Sequence, residues 1–199
     1  MSSQYFTKNP TSPSKEKVIT YKIFDKTFNL TTDTNVFAKN GIDYGSMTLL
    51  KVISQIIDTG KVLDIGCGYG VIGLTLASLI PDIQVVSSDI NLRAVNLTKR
   101  NARALELSER VTTLQSDLYE NIEGKFDYVV TNPPIRAGKK VLEKLYTGAY
   151  RKLNTSGALY LVVRRKQGAE STVTYLKTIF SNVDVLTKDK GYWVIKAKK

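Results

Sequence analysis

The residues best equipped for chemistry stand at the ends of short apolar segments. In Val62-Leu63-Asp64-Ile65-Gly66-Cys67-Gly68-Tyr69-Gly70 a carboxylate precedes a cluster of glycines. Glycine permits positive φ and lets a ligand approach the backbone. A helix beginning just beyond would add unpaired N–H groups and a positive dipole. Alone, such a cluster is weak evidence, because a tight strand-to-helix turn can need glycine for packing. Asp89 ends the next apolar segment, about twenty residues on, where an acid binds ribose hydroxyls in dinucleotide folds. Asp64 sits beside the turn itself. A carboxylate there would repel a pyrophosphate and suits a cationic ligand. S-adenosylmethionine carries an ammonium and a sulfonium and no phosphate, so these charges favour it over NAD and disfavour a dehydrogenase. A fourth segment, Phe126–Thr131, ends in Asn132-Pro133-Pro134-Ile135. Proline stops strands readily, but an Asn followed by two prolines also offers two hydrogen-bond acceptors: the Asn132 side-chain oxygen and the Pro133 carbonyl.

Composition narrows the chemistry further. The 199 residues hold no histidine and one cysteine, Cys67. That removes histidine-based zinc sites, Ser-His and Cys-His pairs, an internal disulfide and any cysteine-cluster metal site. No metal is expected. Lys and Arg number 29 against 18 Asp and Glu, a formal net charge of +11. The excess is uneven. Residues 61–131 carry 7 basic and 9 acidic side chains, whereas residues 132–199 carry 15 basic and 4 acidic. A one-sided excess of this size points to a polyanionic partner, nucleic acid first. No apolar run approaches a membrane span, and the first residues lack a signal-peptide core. A cytoplasmic protein with no membrane partner is expected.

These residues need a frame. Residues 1–16, rich in Ser, Thr, Lys and Pro, read as a flexible arm. Lys17–Phe24 and Thr27–Thr31 alternate apolar and polar around Asp25-Lys26, predicting a β-hairpin over about 17–32. Gly45–Ile57 has helical spacing, with Gly60 as a stop. A regular alternation follows. Strands are predicted at Val62–Ile65, Gln84–Ser88, Val111–Gln115, Phe126–Thr131 and Ala158–Val163. Helices are predicted at Val71–Ile80, Leu92–Leu105, Lys139–Lys152 and Ala169–Phe180. Val183–Leu186 and Tyr192–Ala197 close the chain as a hairpin around Lys190-Gly191. The pattern is that of an α/β fold: a Rossmann-like, seven-stranded, mostly parallel sheet with a final antiparallel strand and helices on both faces. Residues 17–199 form a single domain in this reading.

On Asp64–Gly70 the chain resembles the first motif of class I S-adenosylmethionine-dependent methyltransferases. The resemblance implies that Asp64 helps bind the methionine amino end, while Gly66, Cys67, Gly68 and Gly70 lie along the cofactor. Asp89 would hold the ribose beside Ile90, and Asp117 would contact adenine with the Leu118 backbone nearby. Cys67 reads as a small filler of the turn. Asn132-Pro133-Pro134-Ile135 is similar to the Asn/Asp-Pro-Pro-aromatic motif of amino-methylating enzymes in that class. The resemblance makes these four the catalytic residues, with Asn132 also near the cofactor. An exocyclic or amide nitrogen is a poor nucleophile because its lone pair is delocalised. Two acceptors on its N–H groups would aim that lone pair at the sulfonium methyl by positioning and electrostatics. No imidazole is required. Ile135 departs from the motif, so aromatic stacking must come from elsewhere or be absent.

Val36-Phe37-Ala38-Lys39-Asn40-Gly41-Ile42-Asp43-Tyr44-Gly45-Ser46 resembles the F-[SA]-x-x-x-x-D-x-G-[ST] segment of the "methyltransferase small" group, especially small-subunit rRNA guanine-N2 methyltransferases. Two-domain members carry a second, degenerate copy of the domain, and this chain resembles the shorter single-domain forms. The resemblance implies RNA as partner, rRNA or the small ribosomal subunit, with methyl transfer to guanine N2. Adenine-N6 and protein glutamine-N5 transfer use the same motif, and a non-catalytic RNA-binding module could keep the fold. Arg136, Lys139, Lys140, Arg164, Arg165 and Lys166 follow the fourth and fifth strands and are the expected RNA contacts. Lys188 and Lys190 on the last hairpin fall on the same side.

Overall fold

The computed structural model describes residues 13–34, 36 and 41–199. The expected arm falls largely outside them, as does the Phe37–Asn40 part of the segment before Asp43. Strands β1 (Lys17–Ile23) and β2 (Lys26–Thr32) pair antiparallel from Lys17↔Thr32 to Ile23↔Lys26. Their alternation puts Ile19, Tyr21, Ile23, Phe28 and Leu30 on one buried face. Tyr21 and Phe28 stack across the ladder at 5.3 Å, the cross-strand contact that gives a two-stranded sheet its cohesion.

Helix α1 (Tyr44–Ile53) follows, capped by Asp43, whose side chain accepts the Gly45 and Ser46 N–H groups. The helix is shorter than the apolar spacing predicts. At Ser54 the chain turns, and Ile57 is buried from an irregular stretch while Ile56 is left exposed. The alternation then runs β3 (Gly60–Ile65), α2 (Val71–Leu79), β4 (Ile83–Asp89), α3 (Leu92–Ala104), β5 (Val111–Gln115) and β6 (Phe126–Thr131). It continues through a one-turn 3₁₀ helix (Ile135–Ala137), α4 (Lys139–Lys152), β7 (Leu153–Arg164), a second 3₁₀ turn (Arg165–Gln167) and α5 (Ala169–Leu176). Strands β8 (Asn182–Asp189) and β9 (Tyr192–Lys198) close it. Helix α5 also stops early, because Thr178 and Ile179 donate their N–H groups to Tyr175 and Leu176, three residues back, in tight turns. Those turns bury Phe180 without helix.

The large sheet has the order β5-β4-β3-β6-β7-β9-β8. All neighbours are parallel except where β9 pairs with β7 and β8. One core joins the hairpin, α1, α2 and α3 to one face of the sheet, and the other joins α4 and α5 to the opposite face. From β3 the chain proceeds outward through β4 and β5, then returns to place β6 on the other side of β3. That reversal opens a crevice beyond the carboxyl ends of β3 and β6, where open α/β sheets hold ligands.

Candidate active site

The glycine turn leaves β3 at this crevice. Gly66 and Cys67 donate their N–H groups to the Ser88 carbonyl, at 2.8 and 3.0 Å, drawing the turn onto β4. Gly66 and Gly70 do different jobs. Gly66 is exposed with φ +75°, and a Cβ there would meet nothing within 4 Å. Gly70 is buried with φ +96°, and a Cβ there would lie 2.6 Å from Leu74 Cδ1. The first keeps a space open; the second lets α2 begin against Leu74 and Thr98. Cys67 is buried, and burial, with Asp89 and Asp64 nearby, pushes its thiol well up. It fills the turn in its neutral form.

Two carboxylates brace the turn. Asp89 Oδ2 accepts the Gly68 N–H and its Oδ1 accepts the Asn91 N–H, both at 2.9 Å. Its carbonyl takes the Ser116 N–H at 3.0 Å. Asp89 therefore joins three loops and stays partly exposed, with lone pairs left for further donors. Ile90 lies beside it, half-buried, its carbonyl accepting from Gln115 Nε2. Asp64 is wholly buried. Its Oδ2 accepts the Gly73 N–H at 2.8 Å, one of the orphan donors in the first turn of α2. Its Oδ1 has no hydrogen-bond partner among the described residues. Burial pushes the Asp64 carboxyl up to about 7, with a further push from Asp89. Asp89 is raised as well, again chiefly by burial. A cation in the crevice would relieve both carboxylates and a phosphate would oppose them. These residues thus fit a cofactor with a cationic end and no phosphate. Asp117 and Leu118 stand half-buried after β5. Leu118 takes φ +47°, a conformation costly for a side-chain-bearing residue. Ser116 Oγ holds the Leu118 carbonyl at 2.9 Å, and Tyr119 wedges against Gly148 of α4.

Asn132 stands across the crevice, at the end of β6. Thr131 Oγ1 donates to the Ile65 carbonyl at 2.8 Å, clamping the ends of β6 and β3 together. Asn132 Nδ2 donates to Asp43 Oδ1 at 3.1 Å, Asp43 Oδ2 at 3.2 Å and Ser46 Oγ at 3.0 Å. These contacts fix which way the amide points: its nitrogen is held by the start of α1, and its oxygen has no partner among the described residues and can accept. Asp43 and Ser46 thereby orient Asn132, a role that sequence reasoning did not assign. Its signal was the Asp43-x-Gly45-Ser46 spacing, there used only as a likeness. The Pro133 carbonyl accepts the Ile135 N–H at 2.9 Å across Pro134, which sits at φ −76° and ψ 76°. This is an inverse γ-turn. It fixes the Pro133 oxygen and leaves one of its two lone pairs. Ile135 is half-buried against the core under α4.

The six expected RNA cations are exposed on the crevice side of the sheet. Arg165 pairs with Glu170 at 3.1 Å, and Lys139 lies 3.8 Å from Glu143, so these two are partly neutralised. The register sets Lys198 opposite Ala158, at the far end of the sheet from the crevice. Among the described residues no group of three His, Cys, Asp or Glu side chains could hold a metal, and no helix is long and apolar enough to cross a membrane.

Comparison with known proteins gives a consistent set of likenesses. The model of the methyltransferase small domain matches residues 27–196. An uncharacterised Bacillus subtilis protein, YbxB, is 40% identical over 201 residues, spanning all of both chains. Ribosomal RNA small subunit methyltransferase C of Erwinia tasmaniensis is 33% identical over 82% of this chain and 47% of its own length. Among solved structures, the T. thermophilus 16S rRNA N2 G1207 methyltransferase, in complex with AdoMet and guanosine, superposes with a TM-score of 0.83 at 26% identity. The match covers 94% of this chain and 51% of that one. The chain spans about half the length of the ribosomal RNA methyltransferases it matches.

Proposed function

The chain belongs to the methyltransferase small-domain family, and from that premise we propose that it transfers a methyl group from S-adenosylmethionine to an exocyclic amino nitrogen of RNA, guanine N2 of small-subunit rRNA. The observation that carries this reading is the anchored amide of Asn132. An enzyme that methylates an amine with a delocalised lone pair must hold that amine through its N–H groups. Asn132 offers an oxygen whose direction is set by Asp43 and Ser46.

Gly66, Asp89 and Asp117 are the residues that would hold the cofactor, with the buried Asp64 acting on it through its charge from behind the turn. Bound there, S-adenosylmethionine supplies an electrophilic methyl group on a sulfonium. Gly66 provides the open backbone, Asp89 acceptors for hydroxyl groups, and Asp64 with Asp89 the negative field. Asn132 Oδ1 accepts one amine N–H and the Pro133 carbonyl the other, orienting the lone pair. Because Asp43 and the γ-turn hold these acceptors in advance, little reorganisation remains when the amine arrives. Pro133, Pro134 and Ile135 give the pocket an apolar wall. The relatives named for small-subunit rRNA supply the substrate class, and the basic last third agrees with it. Phosphate contacts from Arg136, Lys140, Arg164 and Lys166 would give affinity that falls with salt.

Incubation with labelled S-adenosylmethionine and either small-subunit RNA or assembled particles, followed by nucleoside analysis, tests the reading. Label is expected on guanine N2. Label on adenine, or on a protein glutamine, would replace the substrate while keeping the chemistry. Absence of cofactor binding by calorimetry would overturn the enzyme itself.

A further inference from the structure

Ile135 puts no aromatic ring beside the transfer point, yet two rings stand on the other side of Asn132. Tyr44 opens α1 and is 38% exposed. Tyr192 opens β9, its ring centroid 5.8 Å from that of Tyr44 at an interplanar angle of 44°. The pair is tied to the site by short contacts. A Cβ on Gly45 would lie 3.0 Å from the edge of Tyr192 and 3.0 Å from Asp43 Oδ1, and Asp43 is the residue that holds Asn132. Gly45 thus lets the Tyr192 ring approach the Asp43–Asn132 pair. Both rings are dressed with cations. The Arg164 guanidinium lies 5.6 Å from the centre of Tyr192, and Lys190 Nζ lies 4.9 Å from the centre of Tyr44. The Tyr44 hydroxyl donates to Asp189, which fixes that ring against the β8–β9 turn. From Tyr44 a groove of about 340 Å³ runs between α1 and β8, with Thr48, Lys51 and Thr187 along it, whereas the Lys188 ammonium lies over Trp193 on the opposite face of the sheet, 4.1 Å from the ring centre.

An exposed Tyr44 beside a half-buried Tyr192 would mean little alone, since single apolar groups are common on surfaces. Rings interleaved with arginine and lysine beside a groove that carries a further lysine, Lys51, have a more specific meaning. Unpaired bases stack on aromatic faces and on guanidinium planes, while lysines take the phosphates. The geometry points to this ledge as the stacking platform of the substrate: Tyr44 and Tyr192 hold an unpaired base of the RNA strand whose amino-bearing nucleotide enters at Asn132, and Lys51 takes a phosphate along the groove. This assignment rests on the RNA reading above and deepens it.

Titration of a fluorescein-labelled single-stranded RNA at several salt concentrations, with cofactor affinity measured alongside, separates stacking from charge. Tyr44→Leu and Tyr192→Leu should each raise Kd about tenfold, the scale of one base–aromatic stack, without changing the salt slope. Tyr44→Phe and Tyr192→Phe should restore binding, which separates loss of a ring from loss of fold. Lys51→Ala should instead lower the salt slope by about one unit or less, as one phosphate contact goes. Cofactor affinity should stay at the wild-type value throughout. If the wild-type chain binds and methylates RNA and the leucine variants match it, the ledge is wrong and the RNA reading stands. A Phe variant that fails to rescue, or a leucine variant that changes the salt slope, also overturns the ledge. If the wild-type chain does not bind RNA, both readings fall together.

Discussion

Replacing Asp43 by Asn tests whether the direction of the Asn132 amide matters. Asp43 accepts the Gly45 and Ser46 N–H groups at the start of α1, at 3.0 and 3.2 Å, and the Asn132 amide through both oxygens. Asparagine caps helices as well as aspartate, so its oxygen can keep the two cap bonds and the fold should hold. Its nitrogen, however, would replace Oδ2, which now lies 3.2 Å from Asn132 Nδ2. Two donors would face each other. The cheapest relief is for Asn132 to flip, presenting its oxygen to the new amide while the Ser46 hydroxyl turns to donate. The flip aims the Asn132 N–H groups at the place where an amine must offer its own. A mispaired polar contact of this kind costs about 1–3 kcal/mol, which is about 5- to 150-fold in rate at 1.36 kcal/mol per tenfold. The assay is single-turnover methyl transfer to RNA at saturating cofactor, with calorimetry for cofactor affinity and a thermal melt for fold. Expected is a rate reduced in that range, unchanged cofactor affinity and a melting temperature near wild type. Asp43→Ala should differ, losing about 1 kcal/mol of stability with the cap. Full rate in a folded Asp43→Asn chain would refute the claim that Asp43 acts through Asn132.

Asn132→Ala should remove most turnover while cofactor affinity, read by calorimetry, stays near wild type; an equal loss of affinity would sink that assignment. Gly66→Ala and Gly70→Ala should separate function from stability. The first places a methyl group in open space and should weaken cofactor binding at a modest cost in melting temperature from its positive φ, whereas the second drives Cβ into Leu74 and Thr98 and should chiefly lower the melting temperature. Asp64 should make the cofactor-free protein less stable as pH rises. Its folded value of about 7 lies above the ordinary carboxylate value of 3.8, so between those limits the folded state binds the extra proton and stability falls toward neutral pH. Denaturant melts from pH 4 to 8 should show that decline in the wild type and a flatter curve in Asp64→Asn, and a flat wild-type curve would contradict the assigned burial effect.

The parts of this site that could be read from the chain are those set by local sequence at strand ends. Asp64, Asp89, Asp117 and Asn132 each close an apolar segment, and strand–helix alternation puts such ends on one edge of a parallel sheet. That alone brings the glycine turn and Asn132 to the same crevice. The exact strand order was not needed, because every parallel strand ends on the same side. Helix ends were harder. The apolar positions at Ile56 and Phe180 continue a helical spacing, but one ends up exposed and the other is buried by a tight turn. Spacing alone does not reveal where the backbone stops being helical. The orientation of Asn132 was hidden for a different reason: its partner Asp43 is 89 residues away. In the sequence Asp43 looks like an ordinary helix cap, and it is one. The same carboxylate both starts α1 and sets the direction of the amide, so the segment ahead of the alternating sheet belongs to the proposed site. Tyr44 carries the same logic outward. The residue that follows the cap is the exposed ring beside the β8–β9 turn. A single helix start therefore connects the amide at the proposed transfer point to the surface where a base would stack, and a change at the beginning of α1 should reach both.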